Sequence, residues 1–289
     1  MILVTGATGR TGEHIVDHLL AATADVRILT RATSTVPDRW ESIARVTGDL
    51  HDRDSLADAM SGIDALFVLS PMDPDLDQME RNAFTAAEAA GVDYVVKMST
   101  TKPEPDSPIP WWRAHWRSEE ALRTSGLTWT ILRPNGITFF LLGHGAEVRE
   151  RGVIRTAAGN GRMALIDAAD IGAVTVNLFD DPVAHAGKVY DLTGPEAVSY
   201  GDVADVLTKL TGRSVAHEDV SPEEGHRLLV SSGRPTWEAD GLVANWRMTR
   251  DGSGGFDRVT DDVERLSGRR PAPIGRFLAD HLGAFTPGS

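Results

Sequence analysis

The sequence predicts an α/β fold, a doubly wound parallel sheet followed by a smaller and mostly helical C-terminal portion. Three observations predict it. From residue 1 to about residue 133, short apolar runs alternate with helical patterns, the signature of strands joined by crossover helices. Gly6, Gly9 and Gly12 join the first run to the first helix. After Asn135 the alternation stops, and glycine-rich connections separate a series of helical segments.

Strands are expected at 2–5, 26–30, 44–47, 65–69, 94–98 and 128–132, with helices at 10–22, 55–60, 76–90 and 112–124. Gly62, Gly91 and Gly126 fall just past three of these helices, where a C-terminal cap favours a left-handed residue. Six strands with five crossovers make one Rossmann unit. A nucleotide-binding domain is therefore expected over 1–135, and a substrate-binding portion over 136–289 with some strands returning to the sheet. In that second portion, glycine-rich connections stand at 143–145 and 159–161. A helix at about 170–179 and a strand at 188–192 follow, then helices at 200–210, 222–232, 236–245, 257–266 and 274–282. These helices are expected over the carboxyl edge of the sheet, where open α/β folds form their clefts.

Composition narrows the partners. A length of 289 residues, 41% of them hydrophobic and 25% charged, suits an ordinary globular protein with a sizeable core. The formal charge of −13 opposes a surface that holds nucleic acid by neutralising phosphates. The absence of cysteine excludes disulfides, thiolate catalysis and cysteine-ligated metals. No metal site is expected either: His14 and His18 sit four apart on the first helix but lack the glutamate of the metalloprotease pattern. With no apolar stretch of membrane-spanning length and a strand-like run at the start, the expectation is a cytoplasmic protein with no membrane partner. A homodimer is an open expectation that no segment singles out.

The loop from Thr5 through Gly6, Ala7, Thr8, Gly9, Arg10 and Thr11 to Gly12 follows a strand and opens a helix. In that context Gly6 permits the tight turn, Gly9 lets the backbone approach a pyrophosphate, and Gly12 allows close helix–strand packing, while free amides at the helix start bind the anion. The second strand ends in Thr30 and Arg31 with no acid to accept ribose hydroxyls, so the expected cofactor is NADP(H), with Arg31 on the 2′-phosphate and Arg10 assisting. Asp49, in the segment Gly48, Asp49, Leu50, either approaches the adenine amino group or caps the next helix. Leu69, Ser70, Pro71 and Met72 after the fourth strand, Ser99 and Thr100 after the fifth, and Arg133, Pro134 and Asn135 after the sixth lie on the expected ligand side. Ser99 either bonds a substrate carbonyl or caps the next segment. Trp111, Trp112, Trp116, Phe139 and Phe140 either wall a flat aromatic pocket or pack in the core.

These motifs together, from Val4 to Gly12, Leu29 to Arg31 and Gly48 to Leu50, resemble the NmrA-like family of atypical short-chain dehydrogenases/reductases, in its NAD(P)H quinone oxidoreductase-like branch. Glu119 to Asn135, Asp167 to Ile171 and Leu192 to Glu196 resemble later blocks of that family. The resemblance implies a Rossmann fold and NAD(P)H, and covers both reductases of quinones, azo compounds and imines and redox sensors that bind the dinucleotide without turnover. The Tyr-x-x-x-Lys pair of ordinary short-chain enzymes is missing. Tyr94, Tyr190 and Tyr200 are followed four residues on by Met98, Gly194 and Ala204. By register with Gly126, its two positions fall on His115 and Glu119, which share one helix face. His115 is then the expected proton donor, with Glu119 raising its pKa or fixing its tautomer. The leading expectation is an NADPH-dependent reductase of a flat apolar acceptor such as a quinone or conjugated imine. The alternatives are a dinucleotide-sensing regulator and a cofactor-retaining isomerase or cyclase.

Overall fold

In the computed structural model, which describes residues 1–286, the strands that sequence alternation marks out are the ones that pair at its centre. In chain order the strands are β1 (Ile2–Val4), β2 (Val26–Thr30), β3 (Ala44–Thr47), β4 (Ala65–Val68), β5 (Tyr94–Met98), β6 (Thr128–Pro134), β7 (Val153–Thr156), β8 (Arg162–Met163), β9 (Lys188–Leu192), β10 (Val198–Ser199) and β11 (Ala216–Asp219). The helices are α1 (Arg10–Ala21), α2 (Leu56–Met60), α3 (Leu76–Ala90), α4 (Pro110–Arg123), α5 (Gly145–Arg151), α6 (Ala168–Asp180), α7 (Pro182–His185), α8 (Tyr200–Thr211), α9 (Pro222–Ser231), α10 (Thr236–Asp251), α11 (Asp262–Ser267) and α12 (Ile274–Asp280).

Seven strands form one parallel sheet in the order β3-β2-β1-β4-β5-β6-β9. Parallel pairing needs crossovers, and these place α1, α6 and α11 on one face and α2, α3 and α4 on the other. The central strands β4 and β5 are buried along their whole length, so β4 reads as a continuous apolar run and β5 as one broken only by Lys97. The chain winds outward from β1 through β2 to β3, then restarts at β4 on the other side of β1. That reversal opens a crevice at the carboxyl ends of β1 and β4. Thr5 pins it: its hydroxyl donates to the Leu69 carbonyl and accepts the Leu69 amide, both at 2.9 Å.

Beyond Asn135 the structure is less purely helical than expected. β9 joins the sheet beside β6, as the expectation of returning strands allowed, and α6 and α11 return with it. The remaining elements form a second apolar core, from Ile109 and Trp112 to Phe285. Two small pairings, β7 with β11 in parallel and β8 with β10 antiparallel, stand where only loops were read. Gly145 opens α5 and is not a loop residue; a Cβ there would lie 2.5 Å from the Ala284 carbonyl oxygen, so close packing explains the glycine. The expected cap at Gly126 is also corrected. Gly62 and Gly91 do adopt positive φ, at 70° and 73°, but Gly126 does not. Its amide donates to Glu88 Oε1 at 3.1 Å, and α4 closes on Thr124.

Candidate active site

The glycine loop has the geometry that the sequence requires of a phosphate cradle. Gly6 has φ of 62°, and a Cβ on it would meet the Leu69 carbonyl oxygen at 2.5 Å. A Cβ on Gly12 would meet the Gly6 carbonyl oxygen at 2.1 Å, since α1 starts directly against the turn. Gly9 differs: it is exposed, and its Cβ would meet only Gly6 O, at 3.2 Å. No side chain caps α1, so the helix presents its positive end and its first free amides to the open side of Gly9. Thr8 stands half-buried in this loop, and Thr11 leads from it into the large cavity. A pyrophosphate fits this cradle.

The remaining expected cofactor contacts are distributed around the same crevice. Arg31 is exposed just past β2 and makes no side-chain hydrogen bond or ion pair among the described residues. Arg10 is exposed, with its guanidinium 5.4 Å from the Phe139 ring centroid. Asp49 caps no helix: its Oδ1 accepts the His51 amide at 2.9 Å, while Asp52 caps the short 3-10 turn that leads into α2. Leu50 is buried in the core behind the site, so its side chain is structural. Leu69, Ser70, Ser99 and Pro134 line the cavity, whereas Pro71 is exposed outside its wall.

That cavity, of about 860 Å³, lies between the carboxyl edge of the sheet and the C-terminal portion. Trp111, Trp112, Phe139 and Phe140 line it, and Trp116 does not. Trp112 is nonetheless buried and packs on Phe256 with ring centroids 5.5 Å apart. Phe256 arrives through the glycine-rich loop at 252–255, held where Asn135 Nδ2 donates to its carbonyl at 2.7 Å. The cavity is lined by Arg151, Arg155 and Arg234 and by Glu147, Glu150 and Glu238. Arg155 is paired with Glu147 and Arg234 with Glu238.

His115 lines the cavity, as its register predicted, but its partner is not Glu119. Burial and the neighbouring Lys97 ammonium hold His115 well below its ordinary pKa, the reverse of the expected rise. Lys97 Nζ stands 3.1 Å from His115 Nδ1, 3.0 Å from the Met98 carbonyl oxygen and 2.8 Å from Glu80 Oε2. Glu119 is turned away into a clamp of its own. Its Oε1 accepts from Ser99 Oγ at 2.6 Å and Arg133 Nε at 3.0 Å, and its Oε2 from Arg133 Nη2 at 2.5 Å and Arg123 Nη2 at 3.1 Å. Burial raises the Glu119 pKa, but these bonds and the charges of Arg133 and Lys97 outweigh burial and leave it lowered. Ser99 is thereby committed to Glu119 as a donor, and Arg133 is a clamp residue outside the cavity wall. Sequence reasoning missed Lys97 and Glu80. The available signal was a lysine inside the apolar run of a central strand, which demands a buried counter-charge.

A profile of the NAD(P)H-binding family matches residues 6–182, which contain the three loop glycines, β2 to β8 and His115. The chain belongs to the NAD(P)H-binding family. Within it, the chain is 31% identical over 287 residues to the NAD(P)H azoreductase of Xenophilus azovorans, covering 99% of both chains. It is 32% identical to the (4-alkanoyl-5-oxo-2,5-dihydrofuran-3-yl)methyl phosphate reductase of Streptomyces griseus, covering 99% of this chain and all of that one. The NADPH-dependent quinone oxidoreductase QOR2 of Escherichia coli, solved with NADPH, superposes with a TM-score of 0.87 at 27% identity, over 98% of this chain and all of that one. The resemblance to NAD(P)H quinone oxidoreductases read from the motifs holds for this NAD(P)H-binding protein. Among the described residues, no helix is long and apolar enough to cross a membrane.

Proposed function

We propose that this NAD(P)H-dependent oxidoreductase is a cytoplasmic reductase that uses NADPH on flat, apolar acceptors without net charge, quinones and conjugated imines among them. The observation that supports this acceptor class is the balanced cavity wall, with aromatic faces at one end and each half-buried arginine already paired with a glutamate. Exposed Arg151 stands beside exposed Glu150. His144, pushed down to about 4 by burial, joins His115 as a second neutral imidazole on the wall. An acceptor phosphate or sulfonate would find no unpaired half-buried arginine to replace its water.

The dinucleotide, when bound, supplies the hydride. The chain's own residues do the rest. The glycine loop and α1 hold the pyrophosphate, Arg31 favours a 2′-phosphate, and Trp111 and Phe139 exclude water and orient a planar acceptor against the sheet edge. His115 places its ring on the cavity wall, where a nitrogen-bound proton can pass to the acceptor oxygen or nitrogen.

NADPH oxidation followed by absorbance, with a neutral naphthoquinone and its sulfonated analogue, tests this reading. The neutral compound should have the higher kcat/KM by about tenfold or more, equivalent to about 1.4 kcal/mol. Equal values or the reverse order would remove the acceptor class. His115→Phe should lower turnover by about 10²-fold with NADPH affinity unchanged, the usual scale for losing a positioned acid. An inert panel of quinones, imines and enones would overturn the reductase reading and favour a dinucleotide-dependent ligand-binding role.

A further inference from the structure

Lys97 and Glu80 form an ion pair in which both side chains have 0% exposure, directly behind the cavity wall. Such a pair is poor value for stability, because apolar residues of similar volume serve a core as well or better. It touches the cavity at two points. His115 contacts Lys97 through Nδ1, and Ser70 Oγ donates to Glu80 Oε1 at 2.8 Å; both residues line the cavity. Ser118 Oγ donates to Glu80 Oε2, so the carboxylate is fully engaged as an acceptor.

Donors and acceptors then fix the protonation states. An ammonium has three donors and no acceptor. The three partners of Lys97 are Glu80 Oε2, the Met98 carbonyl and His115 Nδ1. Nδ1 must accept, so the neutral ring carries its proton on Nε2. An imidazolium would direct a second N–H at the ammonium. A neutral imidazole, however, does not give up its Nε2 proton unaided, because imidazolate is far too basic. Release from Nε2 requires that Nδ1 gain a proton at the same time, and Lys97 is the donor within reach.

We propose that Lys97, held by Glu80, is the proton source behind His115, a positioning and relay residue that touches neither acceptor nor dinucleotide. The inference rests on the reductase reading, with His115 as donor. As hydride reaches the acceptor, the Nε2–H bond of His115 breaks and the acceptor gains that proton. The Nζ–H bond of Lys97 breaks and an Nδ1–H bond forms, leaving Lys97 as an amine and His115 neutral in its other tautomer. The reverse shift, with Nε2 reprotonated by water from the open cavity, restores the start. Both electrons travel with the hydride, and the net input from the relay is one solvent proton.

The charged groups around this relay are few. Glu80 faces Lys97 from α3; Glu119 of α4 is the next carboxylate, and it is claimed by Arg133 of β6 and Arg123 of α4. Turnover should therefore show no histidine-like limb between pH 5.5 and 8.

Side-chain ¹⁵N–¹H spectra of the whole protein with NADP⁺ read the tautomer directly. The expected result is an Nε2–H His115 that does not titrate from pH 5.5 to 8. Replacing both buried charges together, Lys97→Met with Glu80→Gln, should raise the His115 midpoint by removing the ammonium's repulsion, although burial still holds it below an ordinary imidazole, and should lower kcat at least tenfold. Glu80→Gln alone should lower kcat with KM unchanged, since it removes the group that positions the Lys97 ammonium against His115. An Nδ1–H tautomer, a midpoint above 6 in the unsubstituted protein, or an unchanged kcat in the double variant would overturn the relay. The spectra need no turnover, so an inert acceptor panel counts against the reductase reading, and a wrong tautomer counts against the relay.

Discussion

Gly9 and Gly12 lie within one short loop and are glycine for different reasons, which separate on substitution. A side chain at Gly9 projects into the phosphate cradle and meets little of the protein, so Gly9→Val should abolish NADPH binding in calorimetry while leaving the melting temperature nearly unchanged. Gly12→Val should lose the fold, because its Cβ would sit 2.1 Å from a backbone oxygen that cannot move without opening the turn. Equal effects of the two on stability would mean that the loop is only a tight turn. Arg31 makes no side-chain hydrogen bond or ion pair among the described residues, and its proposed role is to distinguish the cofactors. Arg31→Ala should weaken NADPH by about 2 kcal/mol and spare NADH, the scale of a hydrogen bond to a charged group; equal loss for both cofactors in a titration would refute its role. At this scale the cradle was legible because backbone geometry restricts residue type locally. Lys97 was not, because its partners Glu80 and His115 lie on different helices and meet it only in the folded chain. The same limit misassigned Glu119, whose partners Ser99, just past β5, and Arg133 of β6 meet it only in the folded chain.

Elements that carry strong periodicity were read from sequence, and those defined by a distant partner were not. α3 matches its expected range because its apolar stripe repeats along its own length and Gly91 closes it. β7 and β11 are four residues each and pair across an intervening stretch that holds α6, β9 and α8, so neither carries a local signal. α10 runs on to Asp251, beyond its expected end, because Trp246 and Thr249 bury against the second core. Among elements, the Glu119 clamp matters most for the site, since it ties α4 to the carboxyl ends of β5 and β6. Glu119→Gln should destabilise the protein by about 1–3 kcal/mol, as expected when a buried charge-assisted network loses one partner. Because its folded-state carboxyl pKa is lowered, the stability it adds is complete above the unfolded value near 4.5 and is lost as pH falls through the depressed folded value. The difference in denaturant midpoint between the native chain and Glu119→Gln should thus be constant from pH 8 to 5.5 and shrink in acid. A difference that instead tracks pH 6 to 7 would point to coupling with His115 and contradict the clamp.

The whole molecule divides its labour across the crevice. The sheet side brings the phosphate cradle, Arg31 and His115 to one edge, positions that follow from strand order alone. The C-terminal side supplies the opposite wall, where Arg155 of β7 pairs with Glu147 of α5 and Arg234, just before α10, with Glu238. That wall was only coarsely legible, as a covering of helices, because its charge balance depends on which arginine meets which glutamate. The pairing makes a prediction that needs both halves. Glu147→Gln keeps the size of the side chain and removes the carboxylate bonded to half-buried Arg155, leaving only the more distant charges of Glu218 and Glu224 near it. Specificity is a difference between two affinities, and this substitution acts on both sides of it. A sulfonated or carboxylated quinone gains a less fully paired cation to meet, so its kcat/KM should rise, while the neutral quinone must now sit beside a poorly compensated charge and its kcat/KM should fall. The ratio should shift by about tenfold, 1.4 kcal/mol, towards the anionic acceptor, with NADPH affinity unchanged because the cradle lies on the far side of the crevice. Glu238→Gln, which frees Arg234 elsewhere on the same wall, should shift the ratio in the same direction. If neither substitution moved the ratio, the acceptor would lie away from this wall, and the charge balance would have no part in selecting it.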